Sequence, residues 1–434
     1  MVLKSLFFSL FNSLAVTLIS SPALGQDYIC GTDLSASVFP SSPSADIPKI
    51  SKVWKGKQIG LVIKIAFSDL AYTGTDSTIN SANASINTLY RSMSRNTFEW
   101  DFRIYPKTIT APGTAASYGG TGFNALQSWI SAYMKDTLGL KLGTDYNVYI
   151  ASFPHIDVAW AGLSNLRDAD WINGSYGSGV TGHELGHSLG LMHAHSIEAG
   201  ADMFGIPGTT SQTNEYGNPF DILGRGGING HFNVMSKWRI GWIDTVELKE
   251  IKTSGVYRVY ASDNALHRGR LIGIRVPTGN PAYAYWFEYR SVNTGARNGA
   301  TLFFQGFTST TNMDTWFMDT TPGSRTSGDE SDGVLAVGKE FTDKYGTATF
   351  KTVGLNSGVW DQEGWVELNI NIVGTILIKS RNTQVLRNEW LAESPLVNLL
   401  GRKVGNKVEK HLSGQVLILN IDGEGHQKLV LQQR

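Results

Sequence analysis

The stretch from His183 to His193 reads H-E-L-G-H-S-L-G-L-M-H, and it decides how the chain is read. On a helix, His183 and His187 are four residues apart and project from one face about one turn from each other. Two neutral imidazoles held that way can bind one Zn²⁺. Glu184, beside the first of them, is placed to take a proton from a water that the metal activates. Gly190 has no Cβ, so it can leave the helix with positive φ and turn the chain back. That turn brings His193 to the same metal. Three protein ligands leave a fourth position open, as in a catalytic site and unlike a closed structural one. Histidine is scarce, with 9 in 434 residues, so a third one after a glycine at this spacing weighs against coincidence. The plain alternative is an amphipathic core helix with hydrogen-bonded histidines. In either case Leu185, Leu189 and Leu191 can face a core.

Other pieces flank this motif. Upstream stand Ala161-Gly162-Leu163 and Trp171-Ile172-Asn173-Gly174-Ser175-Tyr176. Downstream come Glu215-Tyr216-Gly217-Asn218-Pro219-Phe220-Asp221-Ile222-Leu223-Gly224, then His231-Phe232-Asn233 and Lys237-Trp238-Arg239-Ile240-Gly241-Trp242. The motif resembles that of the metzincin clan of zinc endopeptidases. The whole series is similar to the gametolysin family of secreted metallopeptidases, from about residue 55 to about 245 and more faintly to about 375. The resemblance implies one catalytic Zn²⁺ on His183, His187 and His193, with Glu184 as the general base. It also implies an edge strand between Pro154 and Gly179 that pairs with an extended substrate. That stretch reads equally as a surface loop with packed Trp160 and Trp171. One departure stands out. The family pattern places Asp-x-Met-Gly in a tight turn beneath the metal, where this chain has Asp221-Ile222-Leu223-Gly224. Leucine has similar volume, and such an exchange usually costs little in a core. Met235 is the other candidate for the turn. Asp221 is expected in that turn, fixing its geometry. His195, two residues past the third ligand, could support the site from behind, but the favoured reading leaves it exposed.

Composition sets the wider limits. A chain of 434 residues is expected to hold two or three domains. With 37 basic and 37 acidic residues the formal net charge is zero, so no basic excess points to nucleic acid or an anionic membrane. Charged residues are 17%, and glycine and aromatics are abundant, which suits a strand- and loop-rich extracellular protein. Residues 1–25 read as a secretory signal: Lys4, an apolar stretch from Leu6 to Ile19, then Ala23-Leu24-Gly25 for cleavage. The run is short and interrupted for a membrane anchor. Cys30 is the single cysteine, so no intramolecular disulfide exists. Lying just after the expected cleavage point, its thiolate suits the fourth zinc position until the segment is clipped away. A lone terminal thiol without function is the plainer reading.

Along the chain, residues 26–54 read as a pro-segment or linker. Residues 55–248 carry the metzincin-like peptidase domain. Strands are predicted over Ile59–Phe67, Phe98–Tyr105 and Tyr146–Phe153, and helices over Ile79–Ser94, Phe123–Leu138 and Gly179–Leu191. That order gives an α/β fold, a twisted sheet with an active-site helix. Residues 249–378 show short alternating runs with turn residues between them, the pattern of an all-β sandwich. Residues 379–434 form a small β tail, similar to C-terminal sorting domains that engage secretion machinery in some bacteria, or else a final hairpin. Ser327–Gly333 offers three carboxylates to Ca²⁺, but without EF-hand spacing a solvated turn is the simpler reading. Asn83 and Asn173 fit the glycosylation pattern.

The function expected is a secreted zinc endopeptidase acting on extracellular proteins or peptides, either free or attached to the cell surface. The competing readings are an inactive metallopeptidase-fold surface binding or adhesion protein, and a hydrolase of non-peptide amides.

Overall fold

The computed structural model of the chain describes residues 30–32, 52–204 and 212–373, less short gaps at 266–267, 279–283, 293–294, 308–312, 324–328, 344–345 and 359–362, together with four strands beyond 395. The expected signal peptide, most of the expected pro-segment and much of the C-terminal tail lie outside the described residues. The chain is a mixed α/β protein with several sheets and four α-helices among the described residues. No helix among them is long and apolar enough to cross a membrane. Two compact units divide it, one built on residues 57–87, 100–190 and the Cys30–Thr32 segment, the other on 88–99 and 191 onward.

In the first unit the elements are β1 (Gly56–Ala66), α1 (Asp76–Met93, which runs on past the unit), β2 (Phe98–Ile104), β3 (Ile109–Thr110), α2 (Phe123–Ala132), β4 (Val148–Phe153), β5 (Gly162–Ser164), β6 (Ala169–Asn173) and α3 (Ser178–Ser188). The sheet order is β2-β1-β4-β6-β5, with β3 beside β1. Strands β1, β4 and β6 run parallel, and all six residues of β4 are buried, as a central parallel strand covered on both faces requires. Strand β5 closes the sheet antiparallel to β6, pairing Gly162 with Ile172 and Ser164 with Asp170. The core joins Ile63, Ile65 and Phe153 of the sheet to Leu126 and Ile130 of α2. The predicted second helix ends as α-helix at Ala132 and continues through one wider π turn, Tyr133–Thr137.

The second unit continues with β7 (Ala194–Glu198), β8 (Gln212–Asn214), α4 (Val234–Arg239), β9 (Leu248–Glu250), β10 (Gly255–Tyr260), β11 (Gly273–Pro277), β12 (Ala284–Glu288), β13 (Gly299–Phe307), β14 (Met313–Met318), β15 (Leu335–Ala336), β16 (Glu340–Thr342), β17 (Ala348–Ser357) and β18 (Gly364–Ile372). One sheet runs β8-β7-β14-β13-β12-β11-β9, with β15 beside β13, and a second runs β10-β18-β17-β16. A single apolar cluster joins Tyr285, Phe287, Leu302 and Phe304 of the first sheet to Phe350, Val366, Leu368 and Ile370 of the second, which makes this a β-sandwich. The first sheet takes β7 and β8 from directly after the histidine motif, and β7 pairs parallel with β14. The last described strands, β19 to β22, form two antiparallel pairs, Leu396–Val397 with Lys403–Gly405 and Gln415–Ile421 with Gln427–Gln433.

The two glycosylation candidates are built into the first unit instead of its surface. Asn83 is 4% exposed and accepts from Tyr176 Oη. The Asn173 amide bonds Ile156 and the Trp160 carbonyl. A glycan on either nitrogen would have to break this packing.

Phe350 is fully buried, with its ring against Phe287, Tyr285 and Phe341 at 4.8, 5.5 and 5.9 Å between centroids. Phe350→Ala is expected to destabilise the sandwich by about 3–5 kcal/mol, read as a lowered midpoint in urea melts.

Candidate metal centre

Helix α3 carries the first part of the site. His183 and His187 sit one turn apart, with Nε2 atoms 3.1 Å apart and rings crossed at 77°. The helix ends at Ser188, and Gly190 follows with φ +86°, the left-handed turn that its missing Cβ allows. Three residues on, His193 is buried and its Nδ1 lies 2.9 Å from Glu215 Oε1, so the other ring nitrogen, Nε2, remains as its donor. The Tyr216 ring packs on the same imidazole at 4.3 Å.

One ring nitrogen from each of His183, His187 and His193, and the thiol of Cys30, all lie within 4.8 Å of one another. Among the described residues no other such group forms. Three neutral imidazoles and a thiol are donors suited to Zn²⁺, and tetrahedral zinc with bonds of about 2.0–2.3 Å would set its ligands roughly 3.3–3.8 Å apart. The donor set therefore fits the ion that the sequence implies. The motif supplied the three histidines. Cys30, 153 positions before His183, arrives by tertiary folding alone.

Glu184 is 1% exposed. Its Oε2 accepts from Thr32 Oγ1 at 3.3 Å and from Cys30 Sγ at 3.5 Å. Burial, then the nearby Asp170, hold its carboxyl well above the ordinary range, with the Cys30 and Thr32 hydrogen bonds opposing. Burial and the Glu184 charge likewise push the Cys30 thiol up. A coordinated cation reverses that sign, because it deprotonates a ligating thiol. Asp170, also fully buried, is raised to about 7 by burial and is eased by the Ser164 and Ser188 hydroxyls. Ser188 Oγ donates to Asp170 Oδ1 at 2.8 Å, which ties α3 to β6.

Strand β5 is the edge strand expected between Pro154 and Gly179, and the Cys30–Thr32 segment already lies along it. Cys30 pairs with Gly162 as a parallel bridge, and Gly31 N donates to Gly162 O at 2.7 Å. Thr32 Oγ1 accepts from Ser164 N at 2.8 Å and lies 3.4 Å from Ser164 O. A Cβ on Gly162 would come 2.4 Å from Glu184 Oε1, so only glycine lets the strand lie on that carboxylate.

The turn following the site is held by Asp221. Its Oδ1 accepts from Leu223 N, and its Oδ2 accepts from Asn233 N and Nδ2. Leu223 O in turn accepts from Ala194 N, directly after His193. Leu223 is thus the residue behind the third histidine, while Met235 lies in α4 among Phe220, Val234 and Ile243. Two expectations need correction. His195 is not exposed: it is 6% exposed and stacked on Trp316 at 4.5 Å, because β7 pairs it with that residue on β14. The stretch near 330, read as a solvated turn, is not solvated at Glu330. Glu330 is 1% exposed and holds Ser196 Oγ at 2.8 Å and Arg225 Nη2 at 2.5 Å.

No protein-family model matches the chain, and no curated protein matches it. Among solved structures, it is similar to wild type OgpA from Akkermansia muciniphila in one crystal form at 12% identity, over 76% of this chain and 99% of that one, with a TM-score of 0.31. A second crystal form of that protein gives 11% identity, 63% and 96% coverage, and a TM-score of 0.27. Likeness this distant decides neither fold nor activity.

Glu215 was not singled out from the sequence, although it stands in the flanking run Glu215-Tyr216-Gly217. Glu215→Gln is expected to weaken Zn²⁺ binding about 10–100-fold, measured by chelator competition, because it removes the carboxylate that orients His193.

Proposed function

We propose that the chain is a secreted zinc-dependent endopeptidase that hydrolyses peptide bonds in extracellular proteins, and that its Cys30–Thr32 segment keeps it closed until displaced. One observation carries this reading. A thiol and three imidazoles share one cluster, and the buried Glu184 touches that same thiol. Zinc held there would supply Lewis acidity, polarising a carbonyl and acidifying a water. The remaining chemistry falls to the chain's own groups. Glu184 takes a proton from water at Oε2, the oxygen that Cys30 and Thr32 now reach, and passes it to the leaving amine. Gly162 O and the Ser164 backbone at the edge of β5 hold an extended peptide as one more strand. Gly31 and Thr32 occupy those groups, so displacing the segment frees the base and the track together. Lys4 and the apolar run that follows support export, and the C-terminal stretch supports delivery by a secretion machinery or attachment at the cell surface.

A second reading is favoured by Cys30 itself. Four protein donors make a closed site, as in structural zinc centres, and a binding protein with such a centre needs no hydrolysis. Glu184 weighs against it, because a purely structural site gains nothing from a buried carboxylate beside the ligands.

Casein or gelatin separates the two. The purified chain is expected to hold about one equivalent of zinc. Cys30→Ala is expected to cleave, and chelation is expected to stop it. Glu184→Gln in that background is expected to lower turnover about 10²–10⁴-fold with zinc retained. Cleavage that survives Glu184→Gln sinks the assignment of the base. A zinc-loaded Cys30→Ala that cleaves nothing favours the closed-centre reading. Gly162→Ala in the Cys30→Ala background is expected to cost about 100-fold in turnover at unchanged zinc content, since a small displacement of a catalytic group is that expensive.

A further inference from the structure

The Cys30–Thr32 segment records what the edge of β5 admits. Gly31 sits between the residue whose thiol joins the histidine cluster and the residue whose hydroxyl holds Ser164. Its φ is not in the left-handed region, so the backbone conformation does not require glycine. Space does. A Cβ there would lie 2.5 Å from Trp160 Cδ1 and Cγ and 2.9 Å from Nε1. The indole is backed by other groups. It packs on Phe123 at 4.7 Å and Phe153 at 6.4 Å, and the Trp160 carbonyl accepts from the buried Asn173 amide at 2.9 Å. Phe123 and Phe153 belong to the unit's apolar core, and Trp160 packs against it half-buried. A ring supported this way does not yield to an added methyl group without repacking.

The geometry points to Trp160 as the specificity-determining residue of this site: it requires glycine at the position whose N–H reaches Gly162 O, next to the residue seated at the metal cluster. The substrate class is therefore peptides with glycine flanking the scissile bond on the side that passes Trp160. This rests on the peptidase reading above. The track offers the same backbone partners to any extended chain, namely Gly162 O and the Ser164 N–H and carbonyl, so a substrate held by them meets the same indole that Gly31 meets.

Two measurements on the full chain test it. The first reads how well the segment is seated and needs no hydrolysis. It uses the rate of Cys30 alkylation and, with Co²⁺ in place of zinc, the thiolate-to-metal charge-transfer band. Gly31→Ala is expected to raise the alkylation rate at least about tenfold, the scale of an overpacking penalty, and to remove the band. Trp160→Ala combined with Gly31→Ala is expected to restore both. If Gly31→Ala seats normally, or Trp160→Ala gives no rescue, the wall is not there and the proposal fails. The second sequences the products of a peptide library digested by the Cys30→Ala protein. Glycine is expected at one position beside the cleaved bond, and Trp160→Ala is expected to relax it to alanine and larger residues. Cleavage without a glycine preference, or a preference that Trp160→Ala leaves unchanged, overturns the specificity. An absence of all cleavage counts against the peptidase reading instead, and the seating experiment still decides whether Trp160 walls the track.

Discussion

A carboxylate buried to 1% exposure has to be satisfied, and the surroundings of Glu184 are arranged around that demand. Gly162 gives up its side chain so that β5 can lie on the carboxylate. Thr32 and Cys30 bring a hydroxyl and a thiol to it. Behind it, Ser188 bonds Asp170 and lies 3.3 Å from Ser164 Oγ, so helix α3 is fastened to β6 and β5 by side chains as well as by packing. These contacts fix the rotation of the helix about its own axis. That rotation is what aims His183 and His187 at a common point. The two imidazoles are neighbours because a four-residue spacing puts them on one face of the helix.

The third histidine is held by different means. Gly190 reverses the chain, and the residue after His193 begins β7, whose five residues are all buried. A ligand at the mouth of a fully buried strand has little freedom, which is what a metal site requires of its supports. The turn at Asp221 adds a backbone bond from Ala194 N to Leu223 O, and Asn218 N donates to Ala194 O. Leu223, 1% exposed, supplies the apolar floor here without sulfur. The work at this position is done by a backbone carbonyl and by side-chain volume.

Much of this was legible in the sequence because it is local. The histidine spacing, the glycine break after it, and the strand-helix alternation before it are read within a dozen residues. So are the runs that became β17 and β18, where buried residues recur at every second position over much of each strand. What escaped reading is non-local. Ala194-His195-Ser196-Ile197-Glu198 shows no alternation, because β7 is covered on both faces and its polar residues find partners such as Trp316 and Glu330 far along the chain. Strand β5 has three residues, too few for any periodicity. Glu215 finds His193 across 22 positions, and Cys30, whose thiol the sequence did offer to the histidines, pairs with β5 across more than 130. Asn83 and Asn173 match a glycosylation pattern that carries no information about burial.

The energetics of the Cys30–Thr32 segment explain why its thiol matters more than its hydrogen bonds. Ordering three residues costs roughly 1–2 kcal/mol of backbone entropy each. Against this stand one backbone bond from Gly31 to Gly162 and the Thr32 hydroxyl's contacts with Ser164 and Glu184. Each is worth about 0.5–1.5 kcal/mol net. These contacts return about 1.5–4.5 kcal/mol against roughly 3–6 kcal/mol of ordering, so polar contacts alone do not fully offset the cost of seating the segment. A cation held by the histidines would tip that balance, because a bond to the thiolate would add an interaction that the detached segment cannot make. Segment and metal would then be thermodynamically linked: whatever bound a cation more tightly would also seat the segment, and whatever pulled the segment from β5 would weaken the hold on the cation.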